Sequence, residues 1–241
     1  MPPKTALGPH GSRRPAAVRR AKPSVAEIHD RVVTAIHEHR LRPGTQLVEE
    51  RLAAVFGVSR TQIRHALARL AHDGILSVYP NRGAFVASPS REEAHDVFEA
   101  SRVIEPALIR RLAGRATPAQ VGRLRDHLKQ EQAARRAGDR SALVRRTGEF
   151  HLLLAKMAGN RVLERTMREI ESLSSLVIVL YDNRQALTCR DDEHVGLVDA
   201  IEAGNAERAA RLMLEHLDHI ESALDLAMPA EEEVDLEAVF S

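Results

Sequence analysis

Between residues 60 and 73 the apolar positions fall at Ile63, Ala66, Leu67 and Leu70, a spacing that paints one stripe along a helix. Arg60, Thr61, Arg64, His65 and Ala68 occupy the opposite face, and four of these five can donate hydrogen bonds. Just upstream, "VEERLAAVF" (48–56) buries Leu52, Ala53 and Phe56 and stops at Gly57. Two helices around a short glycine turn predict a helix-turn-helix. After Gly74 the period changes to two, and 76–79 and 84–87 read as strands flanking Asn81, Arg82 and Gly83. The hairpin they form would stand beside the helices as a wing.

The remaining pattern is helical throughout. Ser24-x-x-Glu27, Ser59-x-x-Gln62, Ser90-x-x-Glu93 and Thr117-Pro-x-Gln120 match the capping box, in which a hydroxyl and a later side chain each satisfy the other's backbone N–H. Gly114, Gly138, Gly159-Asn160 and Gly204-Asn205 supply stops. The expected helices are 24–39, 49–56, 60–73, 91–113, 118–137, 140–158, 161–182, 190–203 and 205–228, with Pro106 kinking or splitting the fourth. The Ser/Pro cluster near 88–93 divides a winged helix-turn-helix (23–88) from an antiparallel α-helical bundle (89–228). The fold class is mainly α.

Composition adjusts this picture at its edges. A length of 241 residues with 44% apolar content suits two domains, and 3% aromatics with no Trp favours aliphatic helix packing. The net charge of +1 means that any polyanion must be met by local clusters. One such cluster is the arm 1–22, where Lys4, Arg13, Arg14, Arg19, Arg20 and Lys22 stand among Pro, Gly and Ala with no acid, so it reads as disordered and basic. Residues 229–241 read as a frayed acidic tail. The lone Cys189, the lack of a span-length apolar segment and the lack of a signal peptide point to a soluble cytoplasmic protein.

The second helix of a helix-turn-helix enters the major groove with its first residues nearest the bases, where Arg can grip guanine bidentately. Arg60, Thr61, Gln62, Arg64 and His65, with Asn81, Arg82 and Gly83 at the wing tip, are the candidate DNA contacts. Gln62 has a second possible use, as third member of the capping box after Ser59. The stretch "LRPGTQLVEERLAAVFGVSRTQIRHALARLAHDGILSVYPNRGAFV" resembles the winged helix-turn-helix of the GntR family of bacterial transcription regulators. The resemblance implies that Arg60, Thr61, Arg64 and Gly83 contact operator DNA. Gln62 and His65 depart from the family's usual residues and bear on which operator is read.

In the bundle three histidines share apolar stripes: His151 with Leu154, Ala155 and Ala158; His194 with Leu197, Val198 and Ile201; His216 with Ala209, Met213 and Ile220. Three imidazoles converging in an interior suit zinc or a related divalent ion, though an inward histidine can equally be a hydrogen-bonded core residue. "SRVIEPALIRRLA", "EFHLLLAKMAGN" and "DEHVGLVDAIEAGNAERAARLMLEHLDHI" are similar to the FadR-type effector domain, or FCD domain, of GntR regulators. That resemblance implies a metal held by residues matching His151, His194 and His216 and by an acid where this chain has Thr147. An effector carboxylate or water would then fill the vacant position. It also implies that Arg102 grips an acidic effector, the alternative being an internal pair with Glu99 or Glu105. The reading is a ligand-responsive homodimeric regulator, expected to be a repressor, that binds double-stranded operator DNA and senses an organic acid, a metal, or both. A metal-dependent hydrolase built on the three histidines is the alternative. The chain has no H-E-x-x-H or G-x-S-x-G motif, and Glu92-x-x-His95 is the single Glu-x-x-His pair where a di-iron bundle needs two.

Overall fold

A computed structural model describes residues 22–38, 40–181, 193–226 and 236–240. The order is α1 (Val25–His37), β1 (Gln46–Leu47), α2 (Glu49–Phe56), α3 (Arg60–His72), β2 (Leu76–Tyr79) and β3 (Gly83–Val86), then α4 (Arg91–Ala113), α5 (Pro118–Arg136), α6 (Arg140–Ala158), α7 (Arg161–Tyr181), α8 (Glu193–Glu202), α9 (Ala206–Ser222) and α10 (Leu236–Phe240). The fold is mainly helical, a winged helix-turn-helix followed by a helical bundle. Residues 1–21 of the basic arm and Cys189 lie outside the described residues.

Local chemistry sets the helix starts. Ser24, Ser90 and Thr117 form complete capping boxes with Glu27, Glu93 and Gln120. At Ser59 only half forms: its hydroxyl accepts from the Gln62 N–H at 3.2 Å, while the Gln62 amide donates to the Pro23 carbonyl at 2.5 Å. Gly57 closes α2 in the left-handed conformation, φ 65°, so the chain can reverse into α3.

Three expectations need correction. The sheet has three strands in the order β1-β3-β2, all antiparallel. Two residues, Gln46 and Leu47, are too short a run to show alternation, yet they pair with Phe85 and Ala84. Of the two outcomes expected at Pro106, a split is overturned: α4 runs unbroken from Arg91 to Ala113. Pro106 is itself buried, and α4 packs along α6, α7 and α9, so tertiary contacts outweigh the one helical hydrogen bond that proline forfeits. The tail is not frayed at its end: in α10, Leu236, Val239 and Phe240 are buried in the core of the winged head.

That head core also takes in Leu176 and Val179 of α7, while a second core fills the bundle from Val97 to Leu217. Helix α7 therefore belongs to both regions, and the Tyr181 hydroxyl, donating to the Pro89 carbonyl at 2.9 Å, ties its end to the linker.

Candidate metal centre and nucleic-acid interface

The three stripe histidines meet. His151 on α6, His194 on α8 and His216 on α9 are 6%, 2% and 1% exposed, so none turns to solvent. The Nε2 of His216 lies 3.2 Å from that of His194 and 3.4 Å from that of His151. Each Nδ1 faces a carboxylate: His151 to Glu105 at 2.5 Å, His194 to Glu131 at 2.9 Å, His216 to Glu193 at 2.7 Å. Phe150 stacks on His194 with ring centroids 4.1 Å apart, and Glu193 also accepts from His219 at 2.6 Å.

This donor set fits a divalent metal on two counts. At Zn–N distances of about 2.0–2.1 Å, tetrahedral ligands stand about 3.3 Å apart, which the two Nε2 separations match. With every Nδ1–H donated to its carboxylate, the three Nε2 atoms turn inward together. The orientation is that of the carboxylate–histidine–metal relay, in which the acid fixes the tautomer and raises ligand basicity. A neutral His194 and a neutral His216 would then oppose lone pair to lone pair across 3.2 Å, a repulsion that a cation between them removes.

Electrostatics give the three imidazoles different protons. Burial depresses His151, but the Glu105 charge and hydrogen bond outweigh it and raise the group to about 9. His216 falls to about 4, because burial dominates and the neighbouring histidines add to it. His194 is also lowered, again by burial first, against the pull of Glu131. Glu131 moves the other way from its burial, to about 2, held down by hydrogen bonds from His127 and His194. A fourth acid, Glu171 of α7, is pushed up to about 7 by burial, with the charge of His151 pulling down and that of Glu105 adding to the rise. It fits because position 148 is glycine: a Cβ there would lie 2.2 Å from the Glu171 Oε1.

Two residues expected at this centre are used otherwise. The Thr147 hydroxyl donates to the carbonyls of Val144 and Leu143 on its own helix, at 2.9 and 3.1 Å. Arg102 pairs with neither Glu99 nor Glu105. Its guanidinium meets Asp218 at 2.7 Å and also Glu221, both on α9, so two acids already satisfy it. Glu105, considered only as a partner for Arg102, is the acid that orients His151. Glu105 and Glu131 were detectable in the pattern, since each interrupts an apolar stripe, beside Ile109 and Leu112 or beside Leu124 and Leu128.

On the head, Arg60, Thr61, Arg64 and His65 are exposed along one face of α3. Glu49 of α2 receives the Arg64 Nε at 2.8 and 3.0 Å and lies 3.8 Å from Arg60, holding both guanidiniums beside the N-terminus of α3. Gln62 leaves this set, because its amide is directed to Pro23 at the start of α1. At the wing tip the Arg82 N–H donates to the Tyr79 carbonyl at 3.1 Å, across Pro80 and Asn81. Asn81 takes φ 59°, the sign a type II turn needs at its third position. Gln46 anchors the tip by donating to the Arg82 carbonyl at 2.7 Å, and the Arg82 guanidinium lies over the Tyr79 and Phe85 rings at 5.6 and 5.7 Å.

Residues 24–86 match the bacterial regulatory proteins of the gntR family, and residues 96–219 match the FCD domain. The chain is a GntR-family transcription regulator of the FadR type. It is 27% identical over 199 residues to the Nta operon transcriptional regulator of Aminobacter aminovorans, covering 81% of this chain and 92% of that one. It is 25% identical to the HTH-type transcriptional repressor RspR of Escherichia coli K12, over 76% of this chain and 81% of that protein. A crystal structure of a GntR regulator from Rhodococcus sp. RHA1 superposes with a TM-score of 0.70 at 25% identity, covering 82% and 95% of the two chains. These relatives are regulators and not enzymes, so the hydrolase reading of the three histidines is set aside. As in other FCD domains, the buried histidine group suits a metal. Among the described residues no helix is long and apolar enough to cross a membrane.

Proposed function

We propose that this GntR regulator binds a specific operator as a homodimer, acting as a repressor in the cytoplasm, and that its FCD domain carries a divalent metal such as zinc. The observation that carries the sensing half is the convergence of three Nε2 atoms with each Nδ1 held by its own carboxylate. Three imidazoles leave coordination positions open, and with Thr147 contributing no acid these go to water or to the carboxylate of a small organic acid. Arg60, Thr61, Arg64 and His65 face the major groove, while Asn81, Arg82 and Gly83 approach the backbone or minor groove. One recognition helix reads few bases, so paired half-sites supply the remaining specificity. An effector acts by favouring one placement of the two heads over another.

Selection from a random DNA library at fixed salt, with metal content measured on the same preparation, tests both halves. A preferred palindromic sequence and about one metal ion per chain support the reading. Equal affinity for all sequences would remove the operator. Metal retained by a His151→Ala/His194→Ala variant would remove the centre.

A further inference from the structure

A cavity of about 660 Å³ lies where the winged head meets the bundle, bounded by α1 and α3 on one side and α6 and α7 on the other. It falls in the range of sites that enclose small organic ligands. Its walls divide by chemistry. Val33 and Ile36 of α1 face Leu152 of α6 and Leu176 of α7. Around them stand four arginines, Arg69 of α3, Arg145 of α6, and Arg165 and Arg168 of α7, the last paired with Glu164 at 3.1 Å.

Arg69, Arg145 and Arg165, from three different helices, are exposed to solvent. Among the described residues their side chains make no hydrogen bond or ion pair. The acids sharing the cavity are mostly engaged. Asp73 receives His29 at 3.0 Å, Asp30 is 3.1 Å from the same ring, and Arg146 holds Glu149 at 2.6 Å. Glu171 accepts from Ser175 at 3.3 Å and packs against Gly148, leaving Glu169 exposed at the rim. An apolar interior rimmed by three exposed guanidiniums with no protein partner among the described residues suits a molecule with an apolar body and a carboxylate, since Arg meets a carboxylate with paired, charge-assisted hydrogen bonds.

We propose that this junction is a second ligand site, beside the histidine centre and sharing Glu171 with it, which takes an aromatic or aliphatic carboxylic acid between the DNA-binding head and the FCD bundle. Its body lies on Val33, Ile36, Leu152 and Leu176, and its carboxylate is gripped by Arg69, Arg145 and Arg165. Such a ligand touches α3, the recognition helix, and α7 at once. Its occupancy therefore favours one placement of the head on the bundle, without any requirement for metal at His151, His194 and His216.

Fluorescence titration with naphthalene-2-carboxylate, and with the neutral naphthalene-2-carboxamide as its uncharged counterpart, tests the site on the full chain. Saturable binding of one carboxylate per chain is expected. Arg145→Ala/Arg165→Ala should weaken it about tenfold or more while leaving the carboxamide unchanged, because only the charge-assisted bonds are lost. Ser172→Trp, which fills the cavity, should block both compounds. His194→Ala/His216→Ala, which removes two of the three imidazoles but leaves His151 beside Glu171, should leave carboxylate affinity within about twofold, so failure of the metal reading and failure of this one are separable. Absence of saturable binding, an undiminished affinity in the double arginine variant, or loss of binding in the histidine variant overturns the proposal.

Discussion

Glu105 Oε2 stands 2.5 Å from His151 Nδ1, joining α4 to α6 through two residues that are 3% and 6% exposed. The carboxylate holds the imidazole with Nε2 aimed at His216, so it would orient a ligand to a metal without being one itself. Glu105→Gln should keep the shape of this contact but lose its charge, lowering zinc affinity by roughly 10–100-fold. Competition against a chromogenic chelator reads the loss. Unchanged affinity would mean that His151 is oriented by packing alone.

Metal binding should also depend on pH, with a definite sign. Burial pulls the His151 imidazole down, Glu105 more than reverses it, and the group stays protonated to about pH 9 when metal is absent. A metal needs the lone pair on Nε2, so below pH 9 binding must expel one proton. Affinity should therefore rise with pH, by up to about tenfold per unit, and level off above 9. His194 and His216, lowered by burial, are already neutral at pH 7 and add no such cost. Calorimetry at pH 7.5 in buffers of different ionisation enthalpy should show about one proton released per metal bound. No release would place the proton elsewhere.

Thr147 sits one helical turn before His151 on α6, half-buried, its hydroxyl bonded to the carbonyls of Val144 and Leu143. An Asp there cannot donate to those carbonyls, and its carboxylate gains by turning toward a dication. Thr147→Asp should raise zinc affinity and weaken any organic acid bound at the metal's open position. If neither quantity moves, position 147 does not face the centre.

Most of the fold was legible because helix punctuation is local. Ser90 with Glu93 and Gly159 after Ala158 mark ends that depend on a few neighbouring residues: α4 begins after Ser90 and stops at Gly114, and α2 and α6 stop at Gly57 and Gly159. The inward placement of His151, His194 and His216 was legible from stripes for the same reason. What the sequence could not carry was pairing between distant elements. That Glu193, adjacent to His194, turns instead to His216 depends on how α8 crosses α9. That Arg102 finds Asp218 and Glu221, and that Gln62 finds Pro23, are contacts across 116, 119 and 39 residues that no period encodes.

Glu49 holds Arg64 through both carboxylate oxygens, at 2.8 and 3.0 Å, and lies 3.8 Å from Arg60. All three groups are at the surface, so the pairing orders the guanidiniums more than it stabilises the fold. Arg64→Ala should weaken operator binding by roughly 1–3 kcal/mol and relax the preference at one base position. An equal loss on random DNA would make Arg64 a phosphate contact. Glu49→Gln should leave folding nearly intact while raising non-specific affinity, since it removes an anion that competes with phosphate.

Helix α10 makes the carboxyl-terminal residues part of the winged head. Its Phe240 ring packs on Phe56 of α2 with centroids 5.0 Å apart, and the Arg31 guanidinium lies 4.8 Å over the same Phe56 ring. Arg31 donates to the Phe240 carbonyl at 2.9 Å, and Arg40 donates to that of Val239, so two carbonyls at the end of α10 are satisfied by side chains of the head. Phe56 is the last residue before the Gly57 turn, so the aromatic pair buttresses the reversal that sets α2 against α3. Phe240→Ala should remove most of this packing and destabilise the head by up to roughly 3–5 kcal/mol, the upper figure applying if no collapse fills the gap. Truncation after residue 226 should do the same and expose the face of Phe56. Hydrogen exchange separates this from a general loss of fold: α2 and α3 should lose protection while Phe150 and Leu154 in the bundle core keep theirs. Equal protection in the truncated and full-length chains would show that the head stands without α10.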